Sequence, residues 1–103
     1  MIKLLSMLSL LAVALPVSAS TPAAEATMQR DARTKCRAAS ALRNAVAGPA
    51  VGFSDTSAMT VLLVRGTWRP AHMKGAKATM LCLYDRRKRT AETQEAIGWT
   101  APR

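Results

Sequence analysis

The chain has 103 residues, 15 Lys plus Arg against 6 Asp plus Glu, one His and two Cys, for a formal net charge of +9. That length admits one small domain and no second core. The basic excess points to anionic partners, while a single Tyr and a single Phe are too few rings for a base-stacking platform and argue against nucleic acid.

The N-terminus reads as an export signal. Lys3 supplies the positive charge, Leu4 to Val17 is rich in Leu, Ala and Val, and Val17-Ser18-Ala19 places small residues where a signal peptidase cuts. The competing reading is a membrane anchor. The apolar run is shorter than the roughly twenty residues a spanning helix needs, and Pro16 sits where signal peptides usually break. Residues 1–19 are therefore expected to be removed. The expected location is the bacterial periplasm or the medium, with no transmembrane segment after cleavage. Loss of Lys3 leaves a net charge of +8 on the mature chain.

So small a domain has a marginal core unless something staples it. Cys36 and Cys82 are the only cysteines, both lie in the mature region, and an even count in an oxidising compartment favours a bridge between them. Closing a loop of about 47 residues stabilises by roughly 4 kcal/mol on chain-entropy grounds. Free buried thiols are the alternative. A redox pair is disfavoured, because no C-x-x-C spacing poises a thiolate.

Residues 20–27, STPAAEAT, read as a flexible leader to the fold. Met28 to Ala47 contains no Gly or Pro and is dominated by helix formers, with Thr27 as a cap and Gly48-Pro49 as the stop. Ala32, Lys35, Cys36, Ala39, Leu42, Arg43 and Val46 recur at helical spacing and form a weakly apolar stripe. Ala50 to Ser54 is a short strand candidate, and Asp55-Thr56-Ser57 a turn. Met59 to Trp68 and Ala76 to Asp85 are the strongest strands, joined by the loop Arg69 to Gly75. Arg86 to Arg89 is a charged turn. Thr90 to Ala96 fits a strand or a short helix, Ile97 to Trp99 tucks the end in, and residues 100–103 fray.

Short connections make consecutive strands neighbours. The expected fold is α+β: one N-terminal helix packed on a three- to four-stranded antiparallel meander, with one disulfide, in a single domain over residues 28–99. Strand alternation puts Ala78, Met80, Cys82 and Tyr84 on the helix side, facing Leu62, Val64, Gly66 and Trp68. Val61, Leu63, Leu81 and Leu83 then fall on the opposite face, where a two-layer domain normally carries polar residues. Either Ile97 and Trp99 fold over this face, or it is an apolar interface for another chain.

An N-terminal helix with one Cys, Cys36, and a later strand reading Leu81-Cys82-Leu83-Tyr84-Asp85 with the other, resembles a pattern in small exported bacterial proteins of unassigned function. The resemblance covers most of the mature chain. It implies a similar fold and a similar disulfide, and no activity.

Catalytic and metal-binding chemistry find little support. A triad would need His72 beside Ser40, Ser54 or Ser57 with Asp55 or Asp85 behind it, and no spacing favours that arrangement. His72-Met73 offers only two ligands suited to copper. The glycines form no phosphate loop, so no cofactor or metal is expected. The remaining signal is charge. Arg86, Arg87, Lys88 and Arg89 form a candidate patch for an anionic envelope component or protein; the plain alternative is a solvated turn. These readings add up to a non-enzymatic, exported, basic binding module. The alternative is an assembly subunit or homodimer using the apolar sheet face.

Overall fold

Thr21 takes an extended conformation and its hydroxyl accepts from the Ala24 N–H at 3.1 Å, which caps a helix, α1, that runs over Pro22–Ser40. Pro22 at the first helical position loses nothing, because its missing N–H would have had no partner there. The structure is a computed structural model and describes residues 21–99 and 102. The signal read at 1–19, and the frayed tail apart from Pro102, lie outside the described residues.

Both ends of the expected helix are corrected. Residues 22–27, read as a flexible leader, form its first turns. Its end falls not at Gly48-Pro49 but at Ser40, whose hydroxyl donates to Arg37 O at 2.7 Å and accepts from the Leu42 N–H at 3.2 Å. Ala41 adopts the left-handed conformation, at φ 57°, and reverses the chain. Leu42, Arg43 and Val46 therefore leave the helical stripe, although Leu42 is still buried in the core.

The next residues form strand β1, Arg43–Ala47, at the edge of the sheet. Its register slips between Arg43 and Val46, with Asn44 at a positive φ. Gly48-Pro49-Ala50 then interrupts the edge, and β2, Val51–Gly52, resumes it. Both β1 and β2 lie antiparallel on the same side of β3, Met59–Thr67: Ala47 opposes Val64, and Val51 opposes Val61. Proline has no N–H for a ladder, so a break at Pro49 suits a solvent-facing edge. The expected strand 50–54 is thus reduced to two residues.

A connection containing a short 3₁₀ turn, Ala71–Met73, leads from β3 to β4, Lys77–Asp85. These two strands pair over nine residues each, from Met59 opposite Asp85 to Thr67 opposite Lys77. β5, Thr90–Glu95, closes the meander beside β4, which settles the strand-or-helix alternative in favour of strand.

The helix lies on one face of this sheet. Beneath it Thr60, Leu62, Val64, Ala78, Met80, Cys82 and Tyr84 are buried, together with Ala32, Cys36 and Leu42. This is the face that alternation assigns. Gly66 belongs to it for a steric reason: a Cβ there would stand 2.7 Å from Leu42 Cβ and 2.9 Å from the carbonyl oxygen of Arg43. The side chains that the helix itself buries, Ala32, Cys36 and Ser40, are small, so the layers need further ties. Cys36 and Cys82 are bridged, with their Cα atoms 5.8 Å apart, and join helix to central strand. Among the described residues no helix is long and apolar enough to cross a membrane.

Candidate functional site

Residues paired across an antiparallel ladder share a face, so the register places every outward side chain. Val46, Arg65 and Thr79 form one row across the open face. Leu63, Leu81 and Gln94 form the next, and Val51, Val61, Leu83 and Glu92 the third. The four residues assigned to a candidate apolar interface, Val61, Leu63, Leu81 and Leu83, thus stand together at the centre of the sheet. Leu63 and Leu83 are 39% and 40% exposed, in mid-strand positions that a covering layer would close. Val46, Val51 and Phe53 extend the patch and are more exposed still.

Neither end of the chain's described part covers this face. Trp99 reaches its border, where it lines a hollow of about 260 Å³ with Phe53, Val61, Leu81 and Leu83, but remains 68% exposed. Ile97 is 77% exposed. The expectation that Ile97 and Trp99 fold over the face is therefore corrected. Gly98 takes a left-handed φ of 73° and turns the chain just beyond β5, with the side chains on either side of it left exposed. A second hollow of about 270 Å³ lies at the other side of the patch, between Val46, Pro49, Leu63 and Arg65.

The basic turn is built differently from its appearance in the sequence. The Asp85 carboxylate accepts from the N–H groups of Arg87 and Lys88, which fixes the turn and holds its carboxyl below the ordinary range. Arg86 turns inward. Its guanidinium donates to the carbonyl oxygens of Met59, Phe53 and Ser54 and to the Thr60 hydroxyl, and lies 3.7 Å from Asp55. Arg87 donates to the carbonyls of Asp55 and Thr56 at 2.8 and 2.7 Å. Two guanidinium groups thus clamp the β2–β3 connection, a stretch with few ladder bonds of its own. Arg89 pairs with Asp31 of the helix at 3.3 Å, leaving Lys88 as the turn's one side chain without a bond to the described residues.

Asp31 is the centre of a second tie. It accepts from the Tyr84 hydroxyl and lies 3.4 Å from Lys35, whose ammonium donates to the Arg89 carbonyl at 2.7 Å. The Tyr84 hydroxyl, then Arg89 and Lys35, hold the Asp31 carboxyl below its ordinary value against an opposing desolvation effect. Burial, and the bond to Asp31, push Tyr84 up. The group joins helix, central strand and β4–β5 turn, and its bonds are used within the fold.

The triad candidates do not meet. His72 is exposed in the β3–β4 connection, whereas Ser54, Ser57, Asp55 and Asp85 gather at the opposite end of the nine-residue strand pair. Ser40 is buried with its hydroxyl engaged at the end of the helix. Among the described residues no group of three or more His, Cys, Asp or Glu side chains gathers as a metal site. Compared with known proteins, no family model matches the chain, and no curated protein or solved structure matches it significantly.

Proposed function

We propose that the protein is a small exported binding module, without catalytic chemistry of its own, that works through the open apolar face of its sheet. The observation that carries this reading is Leu63 and Leu83, two large apolar side chains about two-fifths exposed on the central strands, opposite a face that the helix buries. Large contiguous apolar surface on a soluble domain marks an interaction site. A buried disulfide and an apolar, Lys-led N-terminus support export. The three arginines of the basic turn are engaged within the fold, so the turn serves as a clamp before it serves any anionic partner.

The test is a hydrophobic fluorescent dye titrated against protein purified with its disulfide formed. The folded wild type binds dye, and Leu83→Lys, at a site already in contact with water, removes most of that binding without lowering the melting temperature. A folded wild type that binds neither dye nor another macromolecule through this face refutes the reading. N-terminal mass analysis of the exported form is expected to begin at or near Ser20; retention of Met1 refutes the export signal.

A further inference from the structure

The rim of the apolar patch carries two charges with no ion pair or hydrogen bond to the described residues. Arg65 stands on β3 beyond Leu63, between Val46 and Thr79 in its row. Glu92 stands on the edge strand β5 two rows away, level with Leu83 and Val61. Between them lie Leu63, Leu81, Val61 and Leu83. Arg65 lines the hollow on its own side of the patch, and Glu92 the hollow on the other.

We propose that the occupant of this face is a second copy of the chain, packed face to face about a two-fold axis. This rests on the reading of the open face as the working surface. The argument is geometric. Two sheets facing one another can be exchanged only by an axis lying between them, in the plane of contact. An axis along the perpendicular bisector of the line joining Arg65 and Glu92 swaps those two positions. Arg65 of each copy then meets Glu92 of the other, and the central leucines and valines meet each other. A surface whose unpaired opposite charges are interchanged by one rotation is complementary to itself, as a closed dimer requires. The strands of the two copies cross near right angles, which is one of the two ways sheets pack.

A strongly acidic partner fits less well. It would match the net charge of +8 on the mature chain but would leave Glu92 facing like charge. The interface is small. Four strand positions at about 4.8 Å spacing over some seven residues give a footprint on the order of 500 Å² per copy. That is the low end for specific association, so the dimer is weak and reversible.

The experiment is sedimentation equilibrium of the disulfide-bonded protein at physiological salt, from micromolar to millimolar concentration. The wild type is expected to reach twice the monomer mass within that range. Arg65→Glu and Glu92→Arg each weaken dimerisation by about tenfold or more, since every substitution acts at both symmetric contacts. The double variant with both changes restores it, because the pair is reversed and not lost. Leu83→Lys yields a folded monomer. A wild type that stays monomeric at millimolar concentration overturns the proposal, as does a dimer that Leu83→Lys leaves intact or that the double reversal fails to restore. Dye binding separates the two levels: a monomer that still binds dye through Leu83 keeps the open face as the working surface and excludes only the second copy.

Discussion

The disulfide holds the two layers together, and its removal can be predicted in magnitude. Helix α1 buries only Ala32, Cys36 and Ser40, with Met28 partly covered, so little apolar area joins it to the sheet. Its other attachments are polar: Asp31 to Tyr84 and Arg89, Lys35 to the Arg89 carbonyl, and the Thr93 hydroxyl to the carbonyl of Ala39. The bridge spans a sequence separation of 46, which constrains the unfolded chain by about 4 kcal/mol. In a domain of this size each kcal/mol moves the melting temperature by roughly 4–8 °C, so the loss is roughly 15–30 °C. Both sulfurs are fully buried, and a reductant reaches them only when the domain opens. The clean perturbation is therefore reduction in denaturant followed by refolding under reducing conditions, read by thermal melting in circular dichroism. All atoms stay in place and only the cross-link is lost. Cys36→Ala with Cys82→Ala removes the sulfurs as well and costs about 1–2 kcal/mol more, from the cavity they leave. A fall of less than about 5 °C on reduction refutes the reasoning, and would mean that the polar ties around Asp31 hold the helix alone.

Arg86→Ala is expected to destabilise by about 1–3 kcal/mol, because Thr60 is buried and the carbonyls of Met59, Phe53 and Ser54 lose a shared donor; hydrogen exchange checks it, with protection lost first over residues 51–60. Lys88→Ala, by contrast, stays within about 0.5 kcal/mol of wild type, and equal losses in the two variants would refute the clamp. The stability that Asp31 contributes is present above the ordinary carboxylate value of 3.8 and is lost as pH falls through its lowered value. Asp31→Asn flattens the acid limb of a melting-temperature profile, leaving the part owed to Asp85, which its turn's N–H groups also hold low. Tyr84 contributes stability present below pH 10.0 and lost as pH rises through its raised value; burial is the larger cause, so the alkaline limb largely survives in Asp31→Asn.

The amino-acid sequence by itself determined the two-sided character of the sheet. A period of two along 59–68 and 76–85 assigns Leu62, Val64, Met80, Cys82 and Tyr84 to one face and Val61, Leu63, Leu81 and Leu83 to the other, and that assignment needs no knowledge of what each face meets. The disulfide was legible for a similar reason: two cysteines allow one intramolecular pairing. The start of the helix was legible too, since Thr21 followed by Pro22 is a local capping signal, outweighed by the small and polar look of residues 20–27. Its end was not. Residues 41–47 contain no breaker, and their helix propensity is overridden by pairing with β3, a contact some twenty residues away that no local pattern encodes. The basic turn shows the same limit. Four adjacent charges read as a solvated patch, but which of them face solvent depends on where the carbonyls of residues 53–59 come to rest. Only the tertiary structure brings those groups to Arg86 and Arg87, and only it sets Arg65 and Glu92 on either side of one apolar patch. Alternation is a property of one strand and can be read along the chain, whereas partnership across the fold is a property of two segments and depends on the register that joins them.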